Sequence, residues 1–223
     1  MADLQNTSHA VMAQRVEPGD SRDDFPTPPW ATRALIEHVL GNKKTLSTQT
    51  CLEPACGAGH MAKVLKEYFR NVEASDAYNY GYGPKRDFLA HPFETNSVDW
   101  VITNPPFRLA EEFILKALLL SRKGVAILAR TVFLESIGRH ARIFQDQPPS
   151  KFAQFSERVP MVKGRLDAKA STATGYAWLV WEKTGTQIPR LMWVPPCRKE
   201  LERAGDYPKL RADRISLSRS QAR

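Results

Sequence analysis

Asn104-Pro105-Pro106-Phe107 follows directly on the apolar run Val98-Asp99-Trp100-Val101-Ile102-Thr103, and its residue types fit one kind of chemistry. The run reads as a buried parallel strand, which puts the tetrapeptide at a carboxyl end, where open α/β sheets bind ligands. Two successive prolines fix φ twice and remove two N–H donors, leaving a stiff loop whose carbonyls no helix consumes. Asn104 adds a side-chain carbonyl and Phe107 a flat apolar face. A planar ring with an exocyclic amine could give its amine hydrogens to these acceptors and stack on the phenyl. Asn-Pro is also a common turn signal, so the tetrapeptide alone leaves a plain turn open.

A second group of residues reads as a cofactor turn. Thr50-Cys51-Leu52-Glu53 is a short strand, Pro54-Ala55-Cys56-Gly57-Ala58-Gly59 a small-residue turn, and Met61 to Phe69 a helix. Strand, glycine turn and helix open a nucleotide-binding βαβ unit. Gly57-Ala58-Gly59 lacks the third glycine of the dinucleotide fingerprint, and no Gly-Lys-Ser/Thr follows to cradle phosphates. An acid before the turn instead suits a cofactor with a positive centre and no phosphate. Val72 to Asp76 reads as a second strand ending in an acid, 23 residues beyond Glu53. That is near the roughly 20-residue interval at which an acid meets ribose hydroxyls; a turn cap is the alternative for Asp76. Upstream, Thr27-Pro28-Pro29-Trp30 leads into a helix whose Leu35, Ile36, Val39 and Leu40 share a face.

In this order and spacing, residues 25–107 resemble the S-adenosylmethionine-dependent DNA adenine-N6 methyltransferases, in the minimal form found among phages and prophages. The resemblance implies a Rossmann-like class I α/β fold: a mostly parallel sheet with an antiparallel last strand and helices on both faces. Glu53, Pro54, Ala55, Gly57 and Gly59 stand where the family's first motif holds S-adenosylmethionine. Thr27 and Pro28 stand where an amino-terminal motif closes over the methionine end. Asp87 and Phe88 match a segment whose acid meets the cofactor's adenine amine and whose aromatic packs on the ring, although Arg86 to Leu89 also suits an ordinary turn. Asn104, also near the cofactor, and the Pro105 carbonyl would accept the target amine hydrogens. Pro106 would stiffen the loop and Phe107 would stack the base. DNA is the implied partner and RNA the next. The same loop could serve an RNA-base or protein-glutamine methyltransferase, and a non-catalytic nucleic-acid-binding protein on this fold is the reading of another class.

Length and charge agree with that reading. The 223 residues suit one domain with a sizeable core. Net charge is +8, which favours a polyanionic partner. It is unevenly spread: residues 1–24 carry −3 and residues 198–223, with eight Lys or Arg against four Asp or Glu, carry +4. These ends are expected to be flexible tails, acidic and basic, around a methyltransferase domain at 25–197. Cys51, Cys56 and Cys197 form no metal-ligand spacing and no disulfide framework. No secretory pattern or membrane-length apolar run is visible, so a cytoplasmic protein is expected.

The remaining elements predicted are a helix from Leu109 to Arg122 ended by Lys123-Gly124, a strand at Val125–Ala129, and a helix from Val132 to Phe144 capped by Thr131. Two final antiparallel strands follow at 152–159 and 177–181, flanking a polar loop over 161–175. His140 reads as a surface residue. No segment of recognition-domain size remains, so a short or loose target sequence, or a partner subunit for recognition, is expected.

Overall fold

The computed structural model describes residues 23–184 and 188–207. Seven strands form one sheet in the order β2-β1-β3-β4-β6-β5-β7. They are β1 (Thr50–Glu53), β2 (Asn71–Ala74), β3 (Val98–Thr103), β4 (Ser121–Arg130), β5 (Lys151–Phe155), β6 (Tyr176–Glu182) and β7 (Arg190–Val194). β6 alone runs antiparallel to its neighbours β4 and β5, while the pairs β1–β2, β1–β3, β3–β4 and β5–β7 are parallel. This is the doubly wound, mostly parallel sheet expected. From β1 the chain moves outward to β2 and then returns to β3 on the other side. The carboxyl ends of β1 and β3 therefore border the crevice where such sheets bind ligands.

Strand alternation divides the core between two faces. Cys51, Trp100 and Ile102 join one apolar cluster with α1 (Pro29–Ala34) and α3 (His60–Leu65). Leu52 and Val101 join the other with α4 (Ala110–Leu120). Pro29 opens α1, where its missing N–H costs nothing, and α1 widens into a π-helical segment over Leu35–Leu40. A short helix, α2 (Lys43–Leu46), leads into β1.

Several elements depart from the sequence reading. α3 stops at Leu65, short of Phe69, and turns. Lys123-Gly124 does not end α4; β4 begins at Ser121 and runs through it. Gly124 is a packing glycine, because a Cβ there would stand 2.6 Å from the Trp100 ring and 2.6 Å from the Trp181 carbonyl. The helix expected from Val132 is instead a 3-10 turn (Thr131–Leu134), then α5 (Ile137–Arg139) continuing as a π-helical segment (His140–Phe144). Its cap is Ser136, which accepts from the Arg139 N–H; Thr131 caps nothing. β7 was not anticipated at all.

The expected tails also differ where they are described. Arg198–Leu201 forms α6, and the chain beyond it docks on α1. The Arg33 guanidinium, 3% exposed, donates to Glu67, to the Leu201 carbonyl and to Asp206 at 2.7 Å. Burial works against its charge, but these hydrogen bonds raise its pKa well above the ordinary value. Residues 198–207 thus continue the domain. Residues 1–22 and 208–223, the rest of the two predicted tails, lie outside the described residues. Among the described residues no helix is long and apolar enough to cross a membrane.

Candidate active site

A cavity of about 230 Å³ opens at the carboxyl ends of β1, β2 and β3. Of the residues selected from sequence, Thr27, Glu53, Pro54, Ala55, Gly57, Asp76, Asp87, Phe88, Asn104 and Pro106 line it. Pro28, Gly59, Pro105 and Phe107 are not among its lining residues but adjoin them in the chain.

The glycine turn shapes one end. Gly57 and Gly59 both take positive φ, at 49° and 80°, a conformation that costs other L-residues. At Gly59 a Cβ would also fall 2.3 Å from the Tyr82 ring, so this glycine lets the turn close on its neighbour. The Asp76 carboxylate ties the turn to the end of β2, accepting from the Gly57 N–H and the Tyr78 N–H at 2.9 Å each. Asp87 accepts from the Leu89 N–H at 2.9 Å, which makes it a turn cap within the wall. Phe88, 1% exposed, packs against Phe113 with ring centres 4.8 Å apart.

Glu53 is buried at the floor, and its Oε2 has no hydrogen-bond partner. Burial, reinforced by the charge of Asp76, pushes its carboxyl well above the usual range. The same causes, burial first and then Glu53 and Asp76, push the neighbouring Cys56 thiol up to about 12.

Asn104 occupies the other end. Its amide nitrogen donates to the Phe25 carbonyl at 2.9 Å and lies 3.7 Å from the Met161 sulfur. That donation fixes which end of the amide is which. Among the described residues Oδ1 is left buried and without a partner, an arrangement native structures rarely leave unexplained. The Phe107 N–H is held by the Asp23 carboxylate. The Phe107 ring is half-buried, lies beside Phe25 with centres 5.3 Å apart, and carries the Arg130 guanidinium 3.9 Å above its centroid.

The sequence reading missed two wall residues of consequence. Asp23 and Asp24, assigned to a flexible acidic tail, line the cavity. Asp24 lies beside the glycine turn, where a Cβ on Gly57 would come 3.8 Å from its Oδ1. Its carbonyl accepts from the Gly164 N–H at 2.8 Å. Asp23, Asp24, Glu53, Asp76 and Asp87 together make the wall strongly acidic, and among the described residues no Lys or Arg lines it. A ligand with bare phosphates would be repelled; a cation is favoured. Among the described residues no group of three or more His, Cys, Asp or Glu is arranged to hold a metal.

Similarity to solved structures places this sheet and crevice in a known class. A protein of Listeria monocytogenes, provisionally named a class I S-adenosylmethionine-dependent methyltransferase, superposes with a TM-score of 0.55 at 13% identity, over 79% of this chain and 67% of that one. A modification subunit of Vibrio vulnificus YJ016, provisionally given to a type I restriction enzyme, matches with a TM-score of 0.52 at 18% identity, over 75% of this chain but 46% of that one. A Pyrococcus horikoshii protein provisionally named an RNA methyltransferase gives a TM-score of 0.51 at 15% identity, over 74% of this chain and 90% of that one. No protein-family model matches the chain, and neither does any curated protein. The fold is that of the class I S-adenosylmethionine-dependent methyltransferases.

Proposed function

We propose that this chain is an S-adenosylmethionine-dependent methyltransferase acting on the N6 amine of adenine in DNA. The observation that carries the reading is the Asn104 amide, oriented by Phe25 so that a buried, unpartnered oxygen remains. That oxygen belongs to a stiff loop behind β3, in the same cavity as Glu53 and Asp76. The cofactor's fit rests on the acidic wall, the positive-φ turn and the orphaned Glu53 oxygen. When bound, S-adenosylmethionine supplies an electrophilic methyl on a positively charged sulfur.

The chain's own residues would prepare the nucleophile. An adenine amine is conjugated with its ring and weakly nucleophilic. Accepting one hydrogen at Asn104 Oδ1 and the other at the Pro105 carbonyl draws the nitrogen toward sp³ and frees its lone pair. Such donors and acceptors act most strongly when preorganised and shielded from water. A cysteine nucleophile has no part in this scheme. A target base must leave the duplex to reach the cavity, and stacking on Phe107 offsets part of that cost.

DNA as the polymer is supported by charge. Arg108, on the loop, and Lys163 and Arg165, either side of Gly164 next to Asp24, are exposed. An acidic cavity beside a cationic rim suits a cationic cofactor and a phosphate backbone. The name of the Vibrio neighbour points the same way, whereas that of the Pyrococcus neighbour favours an RNA base as second reading. Labelled S-adenosylmethionine incubated with protein and DNA, RNA or a protein mixture, followed by mass spectrometry of nucleosides and residues, separates these. N6-methyladenine in DNA is expected from the wild type. Asn104→Ala should lose at least about tenfold in turnover, roughly 1.4 kcal/mol of transition-state stabilisation, with cofactor affinity nearly unchanged. A variant that keeps more activity than this would remove Asn104 from the catalytic assignment.

A further inference from the structure

Arg130 is the last residue of β4 and pairs with Tyr176 at the start of β6. β4 continues three residues past Ile127, which pairs with Thr103 at the end of β3, and so carries Arg130 beyond the end of β3, beside the Asn104–Phe107 loop. Its guanidinium carbon stands 3.9 Å from the Phe107 ring centroid. A contact that short is possible only over the face, since an in-plane approach is stopped by the ring's own atoms. The same carbon is 6.0 Å from the Phe25 centroid, and the Phe25 and Phe107 centroids are 5.3 Å apart. Those three distances place Phe25 to the side of Phe107, near a right angle from Arg130. One face of the phenyl is capped by the cation, one flank by Phe25, and the opposite face by neither.

The Arg130 side chain also hydrogen-bonds the neighbouring Tyr176 hydroxyl, which anchors the guanidinium beside the ring. Its Nε is buried with no hydrogen-bond partner among the described residues. Burial raises the pKa of the adjacent Tyr176 hydroxyl, and the charge of Arg130 partly offsets that. The nearby Asp23 carboxylate acts on the same hydroxyl in the opposite direction and holds the Phe107 N–H. Backbone and ring of Phe107 are thus gripped by different residues. A planar, weakly hydrated cation stacked on an aromatic is a role lysine does not reproduce.

We propose that Arg130 is a positioning residue that fixes the Phe107 ring as the platform on which the target base stacks. The guanidinium covers the face turned away from the base and acts on transfer through the ring. The inference rests on the reading of this loop as the seat of a planar amine.

A double-mutant cycle tests it. Arg130→Met, Phe107→Leu and the double variant are compared for turnover and KM on DNA, cofactor affinity by calorimetry, and thermal midpoint. Arg130→Met should lower kcat about tenfold to a hundredfold, while KM and cofactor affinity change by less than about threefold. In the Phe107→Leu background the same change should cost less than about threefold, because two residues acting as one unit are not additive. Undiminished loss in that background, a raised KM with kcat retained, or near-wild-type kcat would each overturn the proposal. Should the methionine variant fail to fold, Arg130→Gln takes its place. A wild type that leaves DNA unmethylated and modifies an RNA base or protein amide sinks the adenine reading separately, and the cycle is then measured on that substrate.

Discussion

Glu53 shows how one buried carboxyl couples the cavity to pH. Its carboxyl, held well above the ordinary value of 4.5 by burial and then by Asp76, stays protonated in the folded chain where the unfolded chain has released its proton. The folded state then binds more protons than the unfolded one, so stability must fall as pH rises above about 4.5 toward the folded value. Glu53→Gln keeps the shape without the ionisation. Its urea midpoint should gain on the wild type between pH 5 and pH 8. Parallel pH profiles for the two proteins would show that Glu53 titrates normally. A bound cation would favour the ionised form, so cofactor affinity of the wild type should strengthen over the same range.

At the scale of elements, the docked carboxyl-terminal segment carries the clearest stability prediction. Asp206→Ala removes one acid from the buried Arg33 and leaves Glu67 and the Leu201 carbonyl. A hydrogen bond to a charged group is worth about 1.5–3 kcal/mol, and a loss of that size in urea unfolding is expected, with turnover at low temperature unchanged. The strands β1, β3 and β6 were legible because each carries consecutive apolar residues buried on both faces, Cys51-Leu52, Trp100 to Ile102 and Tyr176 to Trp181. β7 was not, because an edge strand need not look buried: Leu191 and Trp193 are 57% and 66% exposed. Gly124 read as a turn because composition cannot report that a tryptophan ring from the next strand lies over it. The site was legible wherever local spacing sets it, as from Glu53 to Gly59. Asp23 and Asp24 escaped because their place in the wall comes from contacts more than 30 residues away in sequence, to the glycine turn and the Asn104–Phe107 loop.

For the whole molecule, charge and fold separate. Residues 198–207 are electrically balanced, three basic against three acidic, so the +4 of the carboxyl-terminal 26 residues resides in 208–223. On the proposed DNA reading, removing 208–223 should lower DNA affinity about evenly across sequences and flatten its salt dependence, since phosphate contacts act through counterion release and carry little sequence information. The preferred methylation site should persist. A shifted site preference would show that this segment reads bases. A truncation at Cys197 is a different experiment, because it also removes Asp206 and the Arg33 clamp.

The acidic wall has a bearing on turnover. On the proposed reading, giving up the methyl turns a sulfonium into a neutral thioether, so the share of the attraction owed to the sulfur's charge is lost in the step that uses it. A wall of five acidic side chains would therefore discriminate against its own product, hastening exchange and blunting inhibition by S-adenosylhomocysteine. The ratio of the two dissociation constants measures this preference. Asp24→Asn, which removes a charge beside the glycine turn while keeping the side chain's size, should shrink that ratio, and added salt should shrink it further if the wall acts through its field. In the wild type the spent cofactor would leave more readily because its sulfur no longer carries a charge.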